Sequence, residues 1–472
     1  MDKAWLSERM KYYMKEYNLR GAQVALVTGD EVMLAAEGVR NAAGDPVDIE
    51  TVYPIGSTTK AFTAAAVGIC VDRGLLAWDD QVRKYIPGFT LQDEYAGSHL
   101  TLRDALCHRS GLTRHEFSWM GAPFNTEELT HRLRFLPPGY EFRTEFRYNN
   151  QMYAMLGSVV SRVSGKSYAD FLRENITGPL GMQRTSFSVN EIPAFGNYAT
   201  PFVQTPAGIH DLPLFNIDNI GGAGFINSTA RDIAHWLELQ LHMGKLGDRQ
   251  IISEKSLAET RRPQMVARSN FLNTPDFDSR TYGMGWYVEN YRGVHQVRHT
   301  GGINGFFSQA AVIPAKGIAV MVMINTRAED ACTPLLFEII DRAACYEPRD
   351  WAAYERMAQA AYKQGMAALG GQILALKNPA LQPTRTLSDL AGEYEHKGYG
   401  RVSISSNENR MTLRYHIYQM ELDHLNYDSF YFLYQGIPVP VRFLSDTGGN
   451  ITQVLINIDH ELQQPIAFDR VK

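Results

Sequence analysis

The stretch Tyr53-Pro54-Ile55-Gly56-Ser57-Thr58-Thr59-Lys60-Ala61-Phe62-Thr63-Ala64-Ala65 decides how this chain is read. A serine and a lysine three positions apart share one face of a helix. Gly56 suits a tight entry to that helix, and the alanine-rich run after Lys60 suits its interior. Ser57 then lies at the helix N-terminus, where unpaired backbone N–H groups favour negative charge on or near its oxygen. Lys60, one turn along, points at the same place, and a buried lysine that sheds its proton is a base toward Ser57. Alone, S-x-x-K has a plain reading as a helix cap followed by a solvated lysine. Its weight comes from two further motifs that follow it in order.

The second is Tyr148-Asn149-Asn150, within Phe146-Arg147-Tyr148-Asn149-Asn150-Gln151-Met152. On an extended or turning backbone Tyr148 and Asn150 alternate so that both face one cleft. A tyrosine near a lysine can ionise or relay a proton, and an asparagine offers a donor and an acceptor to an amide or ester. The plain alternative is a loop tyrosine, with asparagine capping a helix that starts near Gln151. The third is Val297-Arg298-His299-Thr300-Gly301-Gly302-Ile303-Asn304-Gly305-Phe306, ahead of the apolar strand candidate Ala310-Ala311-Val312-Ile313. Its glycines let a strand edge approach a ligand and offer bare N–H groups. The N–H of Gly302 can pair with that of Ser57 as an oxyanion hole. The plain alternative is a glycine-rich hairpin turn with a surface histidine.

Ser57-Thr58-Thr59-Lys60, Tyr148-Asn149-Asn150 and His299-Thr300-Gly301, in that order, resemble the motifs of the class C β-lactamase and penicillin-binding-protein superfamily. That superfamily carries S-x-x-K, Y-x-N and K-T-G or H-x-G. Leu102-Arg103-Asp104-Ala105-Leu106-Cys107-His108-Arg109-Ser110-Gly111-Leu112 and Gly221-Gly222-Ala223-Gly224-Phe225-Ile226-Asn227-Ser228-Thr229-Ala230-Arg231-Asp232 look like two more of its segments, and the resemblance spans about residues 5 to 345. It implies an α/β sandwich of antiparallel sheet and helices. It also implies Ser57, Lys60 and Tyr148 as catalytic residues, Asn150, His299, Gly301 and Gly302 as substrate-binding residues, and the N–H groups of Ser57 and Gly302 as the oxyanion hole. Neither a metal nor an organic cofactor is called for. The departure is His299, where β-lactamases and transpeptidases usually carry lysine. A histidine is mostly neutral at pH 7 and offers no fixed charge to a substrate carboxylate. H-x-G is familiar in relatives acting as D-aminopeptidases, other peptidases and esterases. Efficient β-lactam hydrolysis is thereby placed in doubt, and acyl transfer is not. Without a clear E-x-x-L-N element, deacylation falls to Tyr148 or Lys60 acting on water.

Composition agrees with a globular enzyme. A chain of 472 residues, 44% hydrophobic and 21% charged, can bury a large core in two or three domains. A net charge of −5 gives no reason to expect nucleic acid or an anionic membrane as partner. No run reaches the length of a transmembrane helix, and Met1 to Lys11 has no apolar signal core, so the chain as written reads as cytoplasmic. The cysteines Cys70, Cys107, Cys332 and Cys345 make no metal-like cluster and fit a reducing compartment. Cys107 beside His108 invites a Cys–His nucleophile reading, but neighbours on a helix point different ways.

Organisation follows hydrophobic pattern. Gln23 to Val27 and Glu31 to Ala36 flank Thr28-Gly29-Asp30 as a hairpin. Residues from about 75 to 240 read as a helical subdomain supplying Tyr148 and Asn150. Strands return at Gly283 to Val288, after Gly305, and at Ile318 to Asn325, and a helix from about Pro334 to Cys345 closes a hydrolase domain over 1–345. Residues 346–386 read as a helical linker. From 387 to 472 short alternating runs (Val402 to Ser405, Met411 to Tyr415, Phe430 to Tyr434, Val439 to Phe443, Val454 to Ile458) argue a small antiparallel barrel, which resembles the lipocalin-like domain appended to some of these hydrolases. Its expected roles are packing or oligomerisation, or narrowing the entrance to the site. His108 and Arg109 are expected to stabilise the loop behind the site. His115 and Glu116 are expected at the surface, with the cleft mouth as the alternative, and Arg143, Glu145 and Arg147 on a solvated loop, with recognition of substrate charge as the alternative.

The reading that results is a serine acyl hydrolase acting through a Ser57 acyl-enzyme on a small molecule or short peptide. A peptidase or amidase is favoured, with D-amino-acid substrates among the candidates. Carboxylesterase and biosynthetic acyltransferase are the alternatives. From another class stands a non-catalytic sensor of peptidoglycan or β-lactams, which need not keep Lys60 and Tyr148. Homo-oligomerisation is left open.

Overall fold

The computed structural model describes residues 1–205, 208–267, 274–326, 328–407 and 410–471. The chain divides into two compact units. One comprises Met1–Gly88, His99–Ser110 and Asn150–Ala358; the other comprises Phe89–Ser98, Gly111–Asn149 and Gln359–Lys472.

The first unit is built on an eight-stranded antiparallel sheet. Its strands in chain order are β1 (Gly21–Thr28), β2 (Glu31–Gly38), β3 (Met265–Val266), β4 (Phe277–Tyr282), β5 (Tyr287–Tyr291), β6 (Val294–Ile303), β7 (Phe306–Ile313) and β8 (Ile318–Ile324). Their order across the sheet is β2-β1-β8-β7-β6-β5-β4-β3. The N-terminal hairpin therefore lies beside the last strand, Val24 opposite Val322, a non-local pairing that closes the domain. β1 is buried along seven of its eight residues because both faces are covered. Ala22, Val24 and Leu26 join a core with Leu6 and Met10 of helix α1 (Lys3–Glu16). Gln23, pointing the other way, accepts from the backbone N–H of Ala230 at 3.0 Å. Alternation along one strand thus separates two layers of helix.

Helix α2 (Thr59–Asp72) follows a single 3₁₀ turn, Gly56–Thr58. Its first twelve residues are buried, so it is a central helix rather than an amphipathic surface one. Helix α3 (Asn150–Ser164) packs on α2, and helix α4 (Ala230–Leu241) places Trp236 flat on Phe62 with centroids 3.6 Å apart. Helix α5 (Glu329–Ala343) begins before the expected Pro334, which sits inside it. The backbone bond forgone at that proline is outweighed by burial of Leu335, Leu336, Phe337, Ile339 and Ile340 in the core.

A second expectation also shifts. Gly283 to Trp286 form a turn and the strand begins only at Tyr287. Gly285 adopts φ +80°, and a Cβ there would lie 2.7 Å from the Lys60 carbonyl oxygen. The segment lies close against the serine-bearing helix, and the positive φ of Gly285 takes it out of the extended conformation of a strand.

In the second unit the C-terminal residues form a closed eight-stranded barrel. Its strands are β9 (Gly392–His396), β10 (Gly400–Ser406), β11 (Met411–Tyr415), β12 (Tyr418–Asn426), β13 (Ser429–Tyr434), β14 (Ile437–Ser445), β15 (Ile451–Ile456) and β16 (Ile466–Arg470). β9 pairs with β16, Tyr394 opposite Arg470, which removes both sheet edges. Tyr394, Val402, Leu413, Val441 and Phe468 fill its interior. Helix α6 (Trp351–Leu374), which begins in the first unit, precedes it along the chain. Among the described residues no helix is long and apolar enough to cross a membrane.

Candidate active site

From Thr51 to Cys70 every residue is buried except Ser57, which is partly exposed. The cause is local. Gly56 takes φ +54°, turning the chain so that Ser57 stands at the lip of α2 while its neighbours pack inward. Thr58 Oγ1 ties this turn back to the Ile55 carbonyl at 2.8 Å, and Ser308 Oγ on β7 donates to the same oxygen at 2.7 Å.

Lys60 is 0% exposed, and its Nζ donates to Ser57 Oγ at 3.0 Å, Asn150 Oδ1 at 2.8 Å and the Ala223 carbonyl at 2.8 Å. These three neutral oxygens come from three separate segments: the 3₁₀ turn, the first residue of α3, and the Gly221–Gly224 helical turn. The ring of Tyr153 lies 5.4 Å from the same Nζ. The structure thereby joins Ser57, Lys60 and Asn150 around one nitrogen. Asn150 opens α3, one residue ahead of the helix start read near Gln151.

The glycines of the third motif lie within β6, and the hairpin turn follows at Asn304-Gly305. A Cβ on Gly301 would fall 2.0 Å from the Ile55 carbonyl oxygen and 3.0 Å from the Ser57 nitrogen. One on Gly56 would fall 3.0 Å from the Gly302 nitrogen. Only glycine allows the strand to lie against the serine turn this closely. Gly301 is buried and Gly302 exposed.

His299 is not at the surface; it is 1% exposed. Its Nδ1–H donates to the Thr300 carbonyl at 2.6 Å, which leaves Nε2 to accept from Tyr282 Oη–H at 3.1 Å. Burial first, and the nearby Lys60 second, push the imidazole down to about 3, so it is neutral at physiological pH. The adjacent Arg298, pointing to the opposite face of the strand, forms a buried two-bond pair with Glu289 at 2.6 and 2.8 Å. The cation carried by this motif, Arg298, therefore belongs to the scaffold.

Tyr148 lies in the second unit, two residues before Asn150 along the chain. It is partly exposed, and the Arg114 guanidinium lies 4.8 Å from its ring centroid. Other expectations divide. Burial pushes the Cys107 thiol up to about 12, which opposes a nucleophilic role. Within the first unit His108 is buried with its ring 5.0 Å from both Tyr153 and Tyr282, and Arg109 pairs with Asp104 at 2.5 Å. Arg147 bonds Glu145 at 2.7 Å on a largely exposed loop. His115, expected at the surface, is 0% exposed and is corrected to a core residue of the second unit. Its Nδ1 meets Tyr399 Oη at 2.7 Å, a partner 284 residues away that no local pattern announces.

Three contributors have no individual sequence signal. The Ala223 carbonyl acts through backbone alone, although it lies in a recognisable glycine-rich segment. Tyr282 and Ser308 are brought in by the sheet register.

The fold and this serine–lysine arrangement define a serine hydrolase of the β-lactamase type. The chain belongs to the Beta-lactamase family, whose description matches residues 6–344, and residues 376–470 match a domain of unknown function, DUF3471. It is 28% identical over 433 residues to "Unguisins hydrolase ungD'" of Aspergillus campestris, covering 86% of this chain and 78% of that one. In fold it resembles the octameric penicillin-binding protein homologue from Pyrococcus abyssi, with TM-score 0.64, 22% identity and 100% of each chain covered. It also resembles the D-amino acid amidase from Ochrobactrum anthropi SV3, with TM-score 0.58, 23% identity, 72% of this chain and 96% of that one.

Proposed function

We propose that this serine hydrolase is an amidase or peptidase that cleaves small amide or peptide substrates, D-amino-acid derivatives among them, through a Ser57 acyl-enzyme. The observation that carries the proposal is the Lys60 Nζ held 3.0 Å from Ser57 Oγ. A neutral amine there keeps two N–H donors, for Asn150 Oδ1 and the Ala223 carbonyl, and turns its lone pair to the serine hydroxyl. Ser57 Oγ attacks the substrate carbonyl and its proton passes to Nζ. The N–H groups of Ser57 and Gly302 take the developing oxyanion, and Asn150 Nδ2 donates to the substrate amide. Tyr148, two residues from Asn150, relays the proton to the leaving group and, with Lys60, activates water for deacylation.

Substrate class follows from charge. Neutral His299 gives the third motif no cation for a substrate carboxylate, which favours neutral acyl groups and free amines over penicillins and D-alanyl carboxylates. The D-amino acid amidase fold neighbour supports the same direction. The octameric fold neighbour makes self-association part of the proposal.

The test is intact-mass analysis after exposure to a fluorophosphonate, with wild type and Ser57→Ala side by side. One adduct on wild type alone is expected, with D- over L-aminoacyl amide turnover to follow. A folded wild type that takes no adduct would sink the proposal. Faster turnover of short esters than of either amide would replace amidase by carboxylesterase.

A further inference from the structure

Within the second unit, the segment that ends in Tyr148 and Asn149 is fastened to the barrel at one buried carboxylate. Asp459 lies between β15 and β16 and is 7% exposed. Its Oδ2 accepts from Thr113 Oγ1 at 2.6 Å and from the His115 backbone N–H at 3.1 Å. The turn it grips includes a left-handed residue, His115 at φ +46°, a conformation uncommon outside glycine. The His115 ring takes the second fastening. Its Nε2–H donates to the Pro137 carbonyl at 3.1 Å, so Nδ1 accepts from the Tyr399 hydroxyl of the barrel at 2.7 Å.

The gripped residues then reach the tyrosine. The Thr113 carbonyl accepts from Asn149 Nδ2 at 2.6 Å. Arg114, between the two fastened residues, lays its guanidinium over the Tyr148 ring at 4.8 Å. Both neighbours of Arg114 are thus bonded to Asp459, while residues 113 and 114 meet Asn149 and Tyr148. A carboxylate taken out of water costs free energy unless it is hydrogen-bonded. Here Oδ1 accepts from the Glu461 backbone N–H at 3.1 Å, within its own loop, while both bonds to Oδ2 come from a turn that contacts the tyrosine segment.

We infer that Asp459 is a positioning residue for Tyr148, and that the C-terminal barrel serves the reaction by fixing the 113–115 turn. The inference rests on the reading of Tyr148 as the proton relay.

The experiment is a double-mutant cycle on the full chain: wild type, Asp459→Ala, Tyr148→Phe and the double variant. The readout is the second-order rate of Ser57 labelling by a fluorophosphonate, followed by intact mass. Tyr148→Phe should lower the rate by about 100-fold or more, as loss of a proton-transfer group does. Asp459→Ala should lower it by about 10- to 100-fold, as misplacement of such a group does. The double variant should label no more slowly than Tyr148→Phe alone, because a merely structural defect would multiply with it. Asp459→Asn, which keeps an acceptor oxygen, should recover most of the rate. An Asp459→Ala rate within about twofold of wild type, or losses that multiply, overturns the inference. A Tyr148→Phe enzyme at the wild-type rate overturns it too, together with the relay role, whereas an unreactive wild type sinks the hydrolase proposal itself. If Asp459→Ala does not fold, Thr113→Val, which removes only the hydroxyl facing Oδ2, stands in under the same criteria.

Discussion

Protonation of His299 should be resisted by the fold over the whole physiological range. The ring is fully buried and already donates through Nδ1 while accepting at Nε2, and its folded pKa lies near 3 against 6.5 when exposed. The sign is that of a depressed histidine. Between these two values the unfolded chain binds the proton and the folded one does not. His299 therefore contributes its full stability above pH 6.5 and loses it as pH falls toward 3. The slope is about 1.4 kcal/mol per pH unit, or about 2 kcal/mol between pH 7 and pH 5. His299→Gln removes the titration, so the wild-type minus variant difference isolates it from every other group. Urea unfolding of both proteins at pH 7, 6 and 5 reads the difference. A ring-carbon NMR titration, assigned with the same variant, reads the protonation directly. Parallel stability curves, or a His299 resonance titrating near 6.5, would refute the argument and restore a histidine able to greet a carboxylate.

Two further outcomes are expected. Lys60→Met keeps the length of the side chain and removes the base, and should slow fluorophosphonate labelling by about 1000-fold, a loss Lys60→Arg should not relieve because guanidinium keeps its proton; labelling within tenfold of wild type would remove Lys60 from the mechanism. Arg298→Met leaves Glu289 buried without its bidentate partner and should lower stability by about 3–5 kcal/mol, with most of it regained by adding Glu289→Leu, both read by denaturant unfolding.

How much of this was legible in the sequence depends on the range of the interaction. Ser57 and Lys60 are three residues apart, so helix geometry alone places them together, and the structure joins them at 3.0 Å. Gly56 and Gly301 were readable because close backbone approach demands glycine, although which atoms approach was not. The N-terminal hairpin and the barrel strands followed from alternation, a local signal. Five of the eight barrel strands coincide with the alternating runs; Gly392–His396, Tyr418–Asn426 and Ile466–Arg470 do not.

What sequence by itself determined, then, is the family and the class of chemistry, and it supplied the reacting groups that the proposed mechanism uses, because the motifs rest on spacings of a few residues. Tertiary structure decided the rest. It buried His299 with its Nε2 against the Tyr282 hydroxyl, brought the Ala223 carbonyl to Lys60, and placed His115 and Asp459 in one buried cluster across 344 residues of sequence. It also assigned residues 111–149 to the unit that contains the barrel. These depend on sheet register and on packing between distant segments. A residue's partners there are chosen by the whole chain, and no local pattern encodes them.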